Sequence, residues 1–129
     1  MVRIRQRNAN HMTAGLTIIN RNYDDPFQLP TVLPGNTWTP MMYPILLNKK
    51  DDQIVDKEPL MEWLNEHGVE TRDMPTILGS PIYKWVSPGD YPISEWIWRS
   101  GFYCGVHQAL EPSDIQYVIQ TIEEWTQTQ

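Results

Sequence analysis

Eleven prolines in a chain of 129 residues constrain the fold more than any other feature. Each proline fixes φ and removes a backbone donor, so no helix or central strand passes through one undisturbed. The chain must be built from interrupted elements joined by long ordered loops. Tyr23 to Gly35 contains three prolines and two aspartates and reads as an extended loop. Met74 to Pro88 is broken by Pro75, Gly79, Pro81 and Pro88 and reads the same way. Six tryptophans and six tyrosines supply enough apolar area for a globular core and argue against disorder. With no repeat, low-complexity tract or linker, residues 1–129 read as one domain.

Between the breaks, hydrophobic spacing predicts seven elements. Ile4, Asn8, Met12, Gly15, Leu16 and Ile19 share one face of a helix over Arg3–Arg21, weakened at Gly15. Thr37–Leu47 reads as a strand; Pro40 and Pro44 make it an edge strand or delay its start to about Met42. A helix over Lys57–His67 has Asp56 as N-cap, Pro59 in its first turn, the stripe Leu60, Trp63 and Leu64, and Gly68 as its C′ residue. Val69–Arg72 reads as a short strand, Ile93–Ser100 as a short helix, and Phe102–Val106 as a further strand. Pro112 opens a last helix to about Trp125, lined by Ile115, Val118, Ile119, Ile122 and Trp125. The expected class is α/β (α+β), with a small three-stranded sheet packed against about four helices.

A formal net charge of −6 and scattered basic residues argue against a nucleic-acid partner. Arg3, Arg5 and Arg7 form the sole basic cluster and read as a solvated helix face. The single cysteine, Cys104, excludes an internal disulfide and fits a reducing compartment. No apolar run approaches a membrane span, and the first twenty residues hold no signal-peptide core, so a soluble cytoplasmic protein without membrane contact is expected.

Few residues suggest chemistry by themselves. Neither a phosphate-binding glycine loop nor a G-x-S-x-G elbow is present. Cys104 and His107 form a C-x-x-H pair without a second pair, so no metal is expected. The pairs Asp24-Asp25, Asp51-Asp52 and Glu123-Glu124 fall in turns or at a helix end and read as solvated surface. Lys49, Lys50, Lys57 and Lys84 sit in polar or loop contexts, whereas a Schiff-base lysine needs burial to lower its pKa. His107 follows a buried strand and precedes a loop into a helix. That is a position that often carries site residues, or a turn histidine bonded to backbone. Arg72 ends a strand; it reaches an anion or pairs with Asp73 or a glutamate.

Three stretches then carry a resemblance. Leu60–Arg72 resembles the L-x-x-x-L-x-x-x-G-I-E-T-R segment of the DegT/DnrJ/EryC1/StrS family of sugar aminotransferases. Ser80-Pro81-Ile82-Tyr83-Lys84 is similar to that family's Q-P-x-Y step. Ser100–Leu110 with Asp114–Val118 resembles N-G-F-x-I-G-x-H-P-G-L-T … D-I-x-Y-V. Arg7-Asn8-Ala9 resembles an R-x-N-A start, and Trp38 with Tyr43-Pro44-Ile45 resembles S-W … F-P-I. The five pieces keep the family's order across nearly the whole chain. The G-F-x-x-G form leans toward the hexulose 3-dehydratases of that family. The chain departs from it at Gln108, Ala109 and Glu111, where a proline, a glycine and a capping threonine are usual, and at Pro59.

The resemblance implies a type I aminotransferase fold and homodimers acting on nucleotide-linked sugars, as in lipopolysaccharide biosynthesis. It implies a large N-terminal domain holding pyridoxal or pyridoxamine phosphate (PLP or PMP) and the Schiff-base lysine, or a histidine in the dehydratases. The small C-terminal domain closes over that site, and this chain matches the small domain alone. On that likeness it is not catalytic and binds no cofactor by itself, as a truncated frame or one half of a split enzyme. Arg72, Tyr83 and His107 would contact the nucleotide-sugar's phosphate, ribose or hexose. Its partner would be a large domain on another chain. The rival expectation is a non-catalytic interaction module derived from that domain, self-associating as a homo-oligomer.

Overall fold

The computed structural model describes residues 1–129. Four helices flank one antiparallel sheet: α1 (Val2–Asn22), β1 (Phe27–Gln28), β2 (Met42–Leu47), α2 (Glu58–Glu66), β3 (Thr71–Asp73), α3 (Pro92–Ser100), β4 (Gly101–Gly105) and α4 (Pro112–Gln127). The sheet has four strands in the order β1-β2-β4-β3, one more than the sequence reading expected. The extra strand is Phe27–Gln28, inside the proline-rich loop. Phe27 pairs with Leu47, and its N–H and carbonyl are both taken by the Asn20 side chain, at 2.9 and 2.8 Å. An amide at the end of α1 thus substitutes for a neighbouring strand.

β2 starts at Met42, and β1 covers only its Leu46 and Leu47. Pro44 lies opposite Tyr103 where β2 has one neighbour, which is where a missing donor is tolerated. Alternation sends Tyr43, Ile45 and Leu47 of β2, and Phe102 and Cys104 of β4, into the core. There they meet Ala9, Met12, Leu16 and Ile19 of α1, Leu60 and Leu64 of α2, and Ile115, Ile119 and Ile122 of α4. α3 contributes nothing to this core; it is tied to the sheet by Trp96 Nε1, which donates to the Leu47 carbonyl at 2.9 Å.

Lys57 and Glu111 take different roles from those their sequence contexts suggest. Lys57 is not in a polar setting: it is 5% exposed, and its Nζ donates to the Trp98 carbonyl at 2.8 Å and pairs with Asp73 Oδ1 at 2.7 Å. It joins the start of α2 to the neighbouring β3 and to the more distant α3. The lost capping threonine is also replaced. Glu111 is the N-cap of α4, and its side chain and that of Asp114 form a reciprocal capping box. The N-cap of α2 is Lys57 and not Asp56, whose Oδ1 one residue earlier accepts from Glu58 N at 3.0 Å, and Gly68 takes φ +78° just past the helix end. No helix is long and apolar enough to cross a membrane.

Candidate functional site

A cleft of about 490 Å³ opens where the α2–β3 turn, the end of β4 and the first turns of α4 converge. Sheet register builds one wall. Arg72 of β3 lies opposite Tyr103 of β4, on the face turned away from the core. α4 supplies Asp114, Tyr117 and Val118, which helical spacing groups together. Buried Val69 and Cys104 and half-buried Leu110 add apolar lining.

Arg72 and His107 therefore meet at one cleft, although 35 positions apart in sequence (107 − 72). Tyr83 does not line it. Tyr83 ends a short 3₁₀ helix, Pro81–Tyr83, and packs edge-on against Trp85 with ring centroids 5.5 Å apart. The Arg72 guanidinium is exposed and pairs with Glu70, the glutamate alternative of the sequence reading. An exposed pair of this kind contributes at most about 1 kcal/mol, so an incoming anion can displace it.

His107 is exposed, and its Nδ1 accepts the Ala109 N–H at 3.2 Å. The neutral ring must then carry its proton on Nε2, which is the nitrogen left for a ligand. Its loop is braced by α1. Asn8 Nδ2 donates to the carbonyls of Val106, His107 and Leu110, and Arg5 Nε donates to Gln108 Oε1 at 3.0 Å. Arg7 Nη2 donates to Asn8 Oδ1 and to the Leu110 carbonyl, so Arg5 and Arg7 are not a merely solvated face.

Burial pushes the Cys104 thiol up to about 12, only partly offset by its backbone hydrogen bond. A thiol held protonated is neither nucleophile nor metal ligand. No group of three or more His, Cys, Asp or Glu side chains is arranged to hold a metal. Tyr43 is likewise raised to about 12, by burial first, with the Thr13 hydrogen bond opposing and Cys104 adding. Tyr103, Tyr117 and Asp114 escaped the sequence reading. Tyr103 was detectable as the outward residue between inward Phe102 and Cys104, and the other two by their spacing on α4.

The fold is one that recurs in solved aminotransferases. A crystal structure of the aminotransferase TlmJ from Streptoalloteichus hindustanus superposes with TM-score 0.74 at 22% identity, covering 95% of this chain and 31% of that one. The putative sugar aminotransferase Spr1654 from Streptococcus pneumoniae, in its PLP form, gives 0.74 at 12% identity, with 99% and 32% covered. The Escherichia coli GDP-4-keto-6-deoxy-D-mannose-3-dehydratase with bound hydrated PLP gives 0.70 at 19%, with 94% and 30% covered. The DegT/DnrJ/EryC1/StrS aminotransferase family matches residues 1–123, and the chain belongs to that family. It spans about a third of the length of these structural relatives. No curated protein sequence matches it.

The residues of this chain do not fit PLP. That group needs a reachable amine and donors for its phosphate. No lysine lines the cleft to supply that amine. Lys57 is committed to Asp73 and Trp98, and Lys49, Lys50 and Lys84 are exposed and lie outside the cleft.

Proposed function

We propose that this chain is the small domain of a PLP- or PMP-dependent nucleotide-sugar aminotransferase or dehydratase, working with a cofactor-binding large domain. The family match over nearly the whole chain, set against coverage of only a third of the relatives, carries this reading. The misfit of the chain's own lysines to the cofactor supports it. The cofactor, when bound by the large domain, supplies the electron sink for chemistry on the sugar. This chain binds and orients. Arg72 offers a forked donor to a phosphate, His107 Nε2 a single donor to a sugar or phosphate oxygen, and Tyr83 with Trp85 an exposed aromatic pair. Substrates of the type named for the dehydratase relative, nucleoside-diphosphate 4-keto sugars, are the class to test.

The exposed apolar residues Leu33, Met41, Ile82, Trp85 and Ile93 supply a surface for the large domain. The same surface supports the rival reading of a non-catalytic module that meets its own copy. Mixing the chain with a large-domain polypeptide of the family separates the two. The enzyme reading expects a stable complex, cofactor absorbance, and turnover of a GDP- or UDP-linked 4-keto sugar. Arg72→Ala or His107→Ala should then raise KM about tenfold or more, the worth of a hydrogen bond to a charged group. A chain that self-associates and never takes up the large domain would overturn it.

A further inference from the structure

Asn8 is a fully buried polar side chain on α1, and both ends of its carboxamide are used. Nδ2 donates to the carbonyls of Val106 at 3.3 Å, His107 at 3.1 Å and Leu110 at 3.3 Å. Oδ1 accepts from Arg7 Nε at 3.3 Å and Nη2 at 3.0 Å. A carboxamide keeps nearly the same shape when its oxygen and nitrogen exchange places. Arginine has donors and no acceptor, so only the oxygen can face Arg7. Arg7 therefore selects the orientation in which Nδ2 faces the loop. Arg7 Nη2 also donates to the Leu110 carbonyl at 3.3 Å.

Three carbonyls on one NH₂ group exceed its two hydrogens, so they share them. The loop is thereby drawn around a single point. Inside the loop, Leu110 N donates to the His107 carbonyl at 3.1 Å and Ala109 N to His107 Nδ1 at 3.2 Å. The second bond is what reserves Nε2 for the cleft.

We propose that Asn8, oriented by Arg7, is a positioning residue for His107. By gathering the carbonyls of residues 106, 107 and 110, it keeps the loop in the one shape that caps Nδ1 and presents Nε2 as donor. The inference rests on His107 being a substrate contact. It assigns α1, which lines no part of the cleft, a role in setting that contact.

The test uses the 129-residue chain labelled with ¹⁵N, and three variants: Arg7→Met, Arg7→Lys and Asn8→Ala. Arg7 is exposed, so its variants should keep the fold even if Asn8→Ala does not. In Arg7→Met, the Ala109 and Leu110 amides should exchange with solvent about tenfold faster, the loss of roughly one net hydrogen bond. The His107 Nδ1 resonance should move to that of an unbonded ring, while the His11 and His67 rings stay unchanged. Arg7→Lys, which keeps one donor, should recover part of both effects. If the two amides loosen no more than the rest of α1 and α4, or the His107 ring does not respond, Asn8 merely fills its site and the assignment fails. These readouts need no substrate, so they can fail while His107 remains a contact in the reconstituted enzyme. They can equally succeed where His107 variants of that enzyme bind normally.

Discussion

A methyl group added at Gly15 would lie 2.5 Å from Ile119 Cδ1 and 2.7 Å from its Cγ2. Ile119 is 4% exposed and its Cγ1 would also lie at 2.9 Å, so turning its terminal methyl is not enough and the side chain or the α1–α4 crossing must shift. Gly15→Ala gains about 1 kcal/mol of helix propensity, yet overpacking costs about 1–3 kcal/mol. Urea denaturation should find the variant no more stable than the parent, and a clear gain would contradict the close crossing. The Lys57–Asp73 pair gives a second prediction, in which the exposed partner matters more. The Asp73 side chain is 69% exposed and the Lys57 side chain 6%. Lys57→Met leaves Asp73 in water, whereas Asp73→Ala leaves an ammonium buried against one carbonyl. Asp73→Ala should cost about 2–4 kcal/mol and Lys57→Met about 1–2 kcal/mol, both read by chemical denaturation. Cys104 and Tyr43 yield a pH prediction. Both folded-state values are raised to about 12, from ordinary values of 9.0 and 10.0. The unfolded chain therefore loses these protons first. Stability from keeping both groups neutral is complete below pH 9.0 and drains away toward about 12. Thermal unfolding should shift downward across that window, and a thiol reagent at neutral pH should label Cys104 only after unfolding.

At the scale of elements, α4 tests whether Glu111 truly replaces a threonine. Its carboxylate takes the N3 amide while Asp114 Oδ2 accepts Glu111 N at 2.8 Å. Glu111→Ala should cost about 1 kcal/mol, and Glu111→Thr should restore most of it. Equal stability of all three proteins by urea denaturation would deny the cap. The four helices and the longer strands were legible because their apolar periods and caps are local. β1 was not, since two residues carry no period and Phe27 is paired partly by a side chain from α1. Burial of Lys57 was equally hidden, because Asp73 and Trp98 lie 16 and 41 positions away. Two residues of the candidate site, Arg72 and His107, could be anticipated. Arg72 lies in the middle of the short β3, not at its end, and His107 just past β4; antiparallel register brings the two strands side by side. Tyr83 rested on the family likeness alone, and its 3₁₀ helix turns it to Trp85. The role of Asn8 was masked because a buried amide counts as one more inward position on a helix.

For the whole molecule, the distribution of apolar surface is the decisive property. The core lies between the sheet and α1, α2 and α4, while the second face of the sheet carries Met42, Pro44 and Tyr103 and no comparable layer. The most exposed large apolar side chains beyond the termini come from residues 32–41 and 77–93. They include Leu33 at 70%, Met41 at 78%, Ile82 at 75%, Trp85 at 77% and Ile93 at 70%. Single exposed apolar residues are ordinary, but so many drawn from two segments leave a surface that water does not favour. The chain alone should self-associate with concentration in sedimentation velocity. Charged substitutions at Leu33, Met41, Ile82 or Ile93 barely alter stability, within about 0.5 kcal/mol, because each side chain is at least 70% exposed. Ile82→Lys with Ile93→Lys should therefore leave the unfolding curve in place and shift the chain toward monomer. If this surface receives the large domain, the same pair should weaken that complex too, and excess large domain should dissolve the self-association of the parent. Self-association that the double variant leaves intact would place the sticky surface elsewhere on the molecule and remove the support it lends to a partner domain.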